Sequence, residues 1–255
     1  MSAAAAVLRA APGAPPLDLG SVYTWIFTDL HLSTARPEEI AAFAATLEGA
    51  PGDLQALAIL GDLFDAYLGP EHWHEPCFAV LTAGLARLAG RGVRVVLLRG
   101  NRDVLLEPAD CGEFGLEVAD GFLVAAGGRR WLVSHGDEYC LNDRPYQRLR
   151  RWLRRPWVRG TGRRLPRWLR CRAAAWLRGK SRKAVARKPL DVMALVEGAV
   201  EEALARYAAE IALIGHLHVE AERELPRGGA LRILPAWCPE RLPVVLGGPS
   251  AGPGA

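Results

Sequence analysis

The sequence predicts an α/β fold carrying a helical insertion, and three observations support that expectation. Short apolar runs recur at "VYTWIF" (22–27), "LQALAIL" (54–60), "VRVVLL" (93–98), "RWLVS" (130–134) and "IALIG" (211–215), each the length of a buried strand. Helix-like stretches separate the first three, the pattern of a parallel sheet covered by helices. A segment rich in arginine and tryptophan then interrupts this alternation between residues 144 and 189.

In chain order, residues 1–20 are rich in Ala and Pro, lack the Leu/Ile/Val core of a signal peptide, and are expected to be a disordered extension. The first helix should start at Pro37, where proline fixes the first-turn φ and Glu38 and Glu39 complement the positive helix end. A second helix is expected near 76–90 and a third over "DVMALVEGAVEEALARYAAE" (191–210). The stretch "ALRILPAWCPERLPVVL" (230–246) reads as shorter strands interrupted by prolines. One domain should therefore span 21–246, with 144–189 inserted and 247–255 a disordered tail.

Composition narrows the function classes. No run approaches the ~18 apolar residues of a membrane-spanning helix. The five cysteines are odd in number, widely spaced and without a Cys-x-x-Cys pair, which disfavours a disulfide framework or zinc knuckle and fits a reducing cytosol. Net charge is only +4, yet residues 144–189 hold 18 Lys plus Arg and no acid, leaving 14 basic against 28 acidic residues elsewhere. A cationic segment set into an acidic body calls for an anionic partner.

The chemistry lies where each predicted strand ends. "IFTDLHL" supplies Asp29 and His31, "ILGDLFD" Asp62 and Asp65, "LLRGNRD" Asn101 and Asp103, "LVSHGD" His135 and Asp137, and "LIGHLH" His216 and His218. Ligands of α/β sheets gather beyond the carboxyl ends of strands. Mixed oxygen and imidazole donors suit manganese, iron or zinc better than calcium or structural zinc. Two such cations are arranged for in-line displacement at phosphorus.

These blocks, in this order, resemble the calcineurin-like metallophosphoesterases, whose pattern is Asp-x-His, Gly-Asp-x-x-Asp, Gly-Asn-His-Asp, a later His and Gly-His-x-His. The resemblance implies a sandwich of two mixed β-sheets flanked by helices. It also implies two metal sites, one held by Asp29, His31 and His218, the other by Asn101, His135 and His216, with Asp62 bridging both.

Arg102 replaces the usual histidine of the third block. That replacement is similar to one subfamily, the UDP-2,3-diacylglucosamine pyrophosphohydrolases of lipid A synthesis. "GDLFDAYLG", "HGDEYCLNDRPYQRLR" and Asp191-Val192 extend the likeness, whereas Leu217 stands where Thr is commoner and "LPAWC" matches loosely.

The resemblance implies a manganese-dependent hydrolase that releases UMP and 2,3-diacylglucosamine 1-phosphate. It implies catalytic roles for Arg102, Asp62 and His216, and a helical lid at 144–189. It also implies substrate contacts from Asn101, Arg102, Asp143, Tyr146, Arg178, Ser181, Lys188 and His216. Arginine keeps its charge and offers a planar fork to phosphate oxygens, which suits a leaving group that is itself a phosphate.

Within the insertion, Leu149, Trp152 and Leu153, and then Leu165, Trp168, Leu169, Ala173, Trp176 and Leu177, recur at helical spacing among arginines. Such amphipathic helices suit acyl chains or an anionic membrane surface. The lipid reading therefore places the protein on the cytoplasmic face of a Gram-negative inner membrane, with no obligate protein partner and no nucleic acid expected. Two rivals are a phosphoesterase of the same fold acting on nucleic acid or another nucleotide, and a non-catalytic membrane- or RNA-binding protein; arginine with tryptophan would also serve RNA.

Overall fold

The computed structural model describes residues 15–185 and 195–248. In chain order the elements are β1 (Leu17–Asp18), β2 (Thr24–Phe27), α1 (Pro37–Glu48), β3 (Ala56–Ile59), α2 (Ala79–Gly90), β4 (Arg94–Leu98), α3 (Pro108–Cys111), β5 (Leu116–Ala119), β6 (Gly121–Ala126) and β7 (Arg129–Ser134). There follow α4 (Arg144–Leu153), α5 (Pro156–Arg164), α6 (Arg167–Val185), α7 (Glu197–Tyr207), β8 (Ile211–Ile214), β9 (Ala221–Glu224), β10 (Ala230–Ile233) and β11 (Val244–Leu246).

Two mixed sheets form. One runs β11-β2-β3-β4-β5, with β2 to β5 parallel and β11 antiparallel at its edge; the other runs β1-β6-β7-β8-β10-β9. The strands read as unbroken apolar runs because both faces are covered. In β3, Leu57 and Ile59 pack toward Phe43 of α1 and Leu85 of α2, while Ala56 and Ala58 turn inward toward Phe122 and Val133 of the second sheet. The outer face of that second sheet packs Leu132, Ala212 and Leu231 on Val200 and Leu204 of α7. The result is the expected sandwich of two mixed β-sheets flanked by helices, with a helical insertion.

Two expectations are corrected. The first twenty residues are not wholly an extension: Leu17 and Asp18 pair in parallel with Phe122 and Leu123, and Leu19 is buried. The helix expected over 191–210 is described only from Glu197 and stops at Tyr207, where Ala208 turns left-handed; residues 186–194, with Asp191-Val192, lie outside the described residues.

Candidate metal centre

The strand-end residues do converge. Asp29, His31 and His218 each bring a ligand atom within 4.8 Å of the others, and Asp29, Asp62 and His135 do the same. In the first group His218 Nε2 lies 3.2 Å from both Asp29 Oδ1 and His31 Nε2. In the second, His135 Nε2 is 3.8 Å from Asp62 Oδ1 and 3.1 Å from Asn101 Oδ1. His216 stands beside it, its ring centroid 5.0 Å from that of His135.

The side chains meet by a route the sequence reading did not foresee. Alternation along a strand would turn Asp29 and His31 to one side, but both lie past the end of β2. Six non-glycine residues have positive φ among the described residues, and five of them are Asp29, His31, Asp62, His216 and His218, at 51° to 66°. A left-handed backbone is costly for such residues, and the cost is tolerated where the fold fixes a functional geometry. Each turn is held: His31 N–H donates to Asp62 O at 2.9 Å, and His216 N–H to Asp29 Oδ2 at 2.8 Å.

Neighbouring groups orient the ligands. Thr28 Oγ1 donates to Asp29 Oδ2 at 2.6 Å. The Leu60 carbonyl accepts from His135 Nδ1 at 2.7 Å, which turns Nε2 toward Asp62 and Asn101. Asp103, fully buried, accepts from the backbone of Leu63 and Phe64 and so fixes the loop after Asp62 instead of joining the metal groups. The sequence did not single out Thr28, whose one signal is its place directly before Asp29.

Electrostatics fit a cation. Burial, with the Asp29 charge next, pushes the Asp62 carboxyl up to about 6. Burial would lower His135, but the Asp62 and Asp29 carboxylates raise it to about 9. Burial and then Arg102 lower His31 to about 3, and burial and then His135 lower His216 to about 4. His31 Nδ1 is buried without a hydrogen-bond partner. His31 Nε2, His218 Nε2 and Asp29 Oδ1 crowd together in an arrangement that a cation lying among them would satisfy, so the donor set fits bound metal.

Arg102 sits at the rim of this centre. Its backbone N–H donates to Asp62 Oδ1 at 2.9 Å, its Nε lies 3.5 Å from Asp62 Oδ2, and its Nη1 pairs with Asp65 Oδ1. Arg178 of α6 takes the other Asp65 oxygen at 2.9 Å. Asp65 therefore joins the insertion to Arg102. Among the described residues Arg102 forms no ion pair with its near neighbours Asp103 and Glu107, and Glu107 is paired with Arg99 and Arg159 instead.

Tyr146 comes within 6.3 Å of the His216 ring in a stacked arrangement, and its hydroxyl donates to Asp137 Oδ2 at 2.6 Å. Asp143 caps α4 by accepting from Tyr146 N–H at 3.1 Å. The side chains of Ser181 and Lys188 lie outside the described residues.

The residues matched by the calcineurin-like phosphoesterase model, 23–220, contain both groups of ligands. The chain belongs to this family. It is a metal-dependent phosphoesterase by family and by the two donor groups. It is 35% identical over 203 residues to a UDP-2,3-diacylglucosamine hydrolase of Pseudomonas paraeruginosa, covering 79% of this chain and 84% of that one. Its identity to an Escherichia coli UDP-2,3-diacylglucosamine hydrolase is 33% over the same coverage. Among solved structures, a dimetal phosphatase from Danio rerio aligns over 87% of this chain and 90% of its own, at 11% identity and a TM-score of 0.44.

The described residues of the insertion form three helices docked by charge. Arg150 pairs with Asp137, Arg154 with Asp120, Arg159 with Glu107, Arg163 with Asp110, Arg167 with Glu75, Arg170 with Glu71 and Arg178 with Asp65. The acidic body is thus the first anionic partner of the cationic segment, and part of its charge needs no external ligand. No helix among the described residues is long and apolar enough to cross a membrane.

Proposed function

We propose that the chain hydrolyses the pyrophosphate bond of UDP-2,3-diacylglucosamine, giving UMP and 2,3-diacylglucosamine 1-phosphate in lipid A synthesis, with two manganese ions. The observation that carries this reading is Arg102, placed over Asp62 and joined through Asp65 to the insertion, in a chain about one-third identical to UDP-2,3-diacylglucosamine hydrolases.

Asp29, His31 and His218 would hold one ion, Asn101, His135 and His216 the other, and Asp62 would lie between them. Bound there, the cations would neutralise phosphoryl oxygens and lower the pKa of an attacking water. The protein's own groups do the rest. Asp62 orients the nucleophile in line with the scissile bond, while Arg102, Asn101 and His216 hold the equatorial oxygens. Because the departing group is a phosphate, a fixed positive charge serves it better than a proton donor. From the insertion, Arg178 and Tyr146 face the glucosamine phosphate, Asp143 fixes the first turn of α4 for Tyr146, and Ser181 and Lys188 are assigned by sequence alone.

The Trp/Leu faces shelter acyl chains and meet the membrane. Trp152, Trp157, Trp168 and Trp176 are about half exposed or more, with Arg148, Arg151 and Arg172 on the same helices and Arg155 between α4 and α5. Exposed indoles interleaved with arginine suit an anionic lipid interface, here the cytoplasmic face of a Gram-negative inner membrane.

The deciding experiment measures UMP release from UDP-2,3-diacylglucosamine with and without manganese, beside an aryl phosphodiester and single-stranded RNA. Manganese-dependent release from the lipid substrate alone is expected. Cleavage of only the aryl ester or RNA would replace the lipid reading with a nucleotide or nucleic-acid phosphodiesterase.

A further inference from the structure

A cavity of about 150 Å³ opens where β2 ends, lined among others by Thr28, Glu220, Pro235, Trp237, Arg241 and Leu242. It adjoins the metal centre through two residues. Thr28 lines it while its hydroxyl holds Asp29, and Glu220 lies two positions after His218. At ~30 Å³ per water the space equals about five waters, enough for one six-membered ring.

Its polar groups are few and varied. Trp237 is buried, packed edge-on to Phe43 with ring centroids 5.2 Å apart, and tied to the strand end by its N–H to Thr28 O at 3.0 Å. Its indole Nε1 is nevertheless buried without an acceptor, a group that native structures rarely leave unpaired. Arg241 Nη1 donates to Ala236 O at 2.5 Å, which leaves its other donors for a ligand. Glu220 is an exposed carboxylate, and Leu242, at 82% exposure, is an apolar wall without cover.

The position matters as much as the lining. The insertion docks on residues that follow β3, β4 and β5, through Asp65, Glu107, Asp110 and Asp120. The cavity lies on the opposite flank, by β2 and the edge strand β11. A diphosphate lying across the metal ligands with its lipid half under the insertion would direct its nucleotide half toward this cavity.

We propose that the cavity receives the pyrimidine base of that nucleotide half. Uracil offers an N–H donor flanked by two carbonyl acceptors. Glu220 accepts from N3–H, the Trp237 and Arg241 N–H groups donate to the carbonyls, and Leu242 covers a ring face. Cytosine presents a lone pair at N3, which the Glu220 carboxylate repels. That the ligand is a uridine nucleotide rests on the proposed function.

The test is calorimetric binding of UMP, CMP and ribose 5-phosphate to the manganese-loaded full chain. UMP should bind ~10-fold more tightly than either competitor, the discrimination of one or two hydrogen bonds. Glu220→Gln, whose amide can serve as donor or acceptor, should bring the UMP to CMP ratio toward one. Trp237→Phe keeps the ring, removes the donor and should shrink the ratio of UMP to ribose 5-phosphate. Trp237 is buried, so if that variant fails to fold the Glu220→Gln ratio decides.

Equal binding of UMP and ribose 5-phosphate by the parent protein, or a UMP to CMP ratio unmoved by Glu220→Gln, overturns the proposal. The two readings fail separately. Lipid cleavage without base preference removes the cavity's role alone, whereas base preference that responds to Glu220→Gln without lipid cleavage removes the lipid substrate alone.

Discussion

Replacing Gly100 by alanine tests whether the Gly-Asn block serves the metal centre through backbone approach. A Cβ built at Gly100 would lie 2.5 Å from Asp62 N and 2.8 Å from Asp62 Cγ, and nearer still to Asp62 Oδ1. Cβ contacts under 3.0 Å are essentially never observed, so the Asp62 backbone must retreat by at least half an ångström. Asp62 cannot yield freely, since it is 1% exposed and its Oδ1 accepts from Arg102 N–H. Overpacking of this kind costs ~1–3 kcal/mol, which for a chain of this size lowers Tm by roughly 2–4 °C per kcal/mol. The protein should therefore stay folded. A site needs its groups within ~0.5 Å, and a 1 Å displacement costs ~100-fold, so turnover should fall at least ~10-fold with reduced metal occupancy. Metal content by mass spectrometry, turnover and calorimetric melting are read together, with Gly90→Ala, where a Cβ meets nothing within 4 Å, as the control. Full metal occupancy with turnover within about threefold of the parent would refute the argument.

Arg102→Ala should keep its metal and lose ~100- to 1000-fold in turnover, the usual effect of removing a preorganised transition-state donor; near-normal turnover with metal retained would count against its role. Arg163→Ala strips both guanidinium contacts from Asp110, whose side chain is 2% exposed, and should cost about 1–3 kcal/mol, read as a lower Tm. An unchanged melting curve would show that this anchor contributes nothing. Burial pushes Asp120 and Asp137 up, but Arg154 with Arg99 holds Asp120 low, and Arg150 with Arg154 holds Asp137 well below the usual range. A depressed folded pKa gives stability that is present above the unfolded value of ~3.9 and lost as pH falls through the folded one. Protection of the α4 amides, their exchange relative to the intrinsic rate at each pH, should accordingly be steady from about pH 8 to 5 and fall below about 4; protection unchanged down to pH 3 would refute the anchoring.

Much of the scaffold was legible because burial on both faces makes a strand an uninterrupted apolar run, and all five such runs contain strands. The elements that were missed have physical reasons. β1 is two residues long in an Ala/Pro-rich stretch, and β9, "AERE", is an exposed edge strand with almost no apolar content. β6 and β7 pair across Gly127-Gly128, both at positive φ, and that glycine pair is the one signal of the hairpin that the sequence carries ahead of "RWLVS". At the site, the identity of the converging residues could be read from residue type and order. The left-handed turns that aim them could not, because Asp and His carry no fixed φ preference that marks such a turn in advance. Convergence there depends on contacts as distant in sequence as His216 N–H to Asp29.

Charge segregation takes a second meaning from the structure. Of the thirteen arginines with described side chains in 144–179, seven meet carboxylates of the body, and Arg144, Arg148, Arg151, Arg155, Arg164 and Arg172 are the other six. The first set fixes the insertion over the ends of β3 to β5 and of β7; the second leaves net positive charge on it beside the exposed tryptophans. The two sets meet their limit at Asp65, one carboxylate shared by Arg178 of the insertion and Arg102 of the metal centre. A diphosphate bringing two negative charges to Arg102 competes with Asp65 for the same fork. Once Arg102 turns to the diphosphate, both Asp65 oxygens are left to Arg178 and that contact tightens, so substrate charge and the seating of α6 are linked through a single side chain. Asp65→Asn removes that link while keeping the size of the side chain, and should weaken the dependence of α6 protection on bound anion; unchanged anion-dependent protection would break the connection.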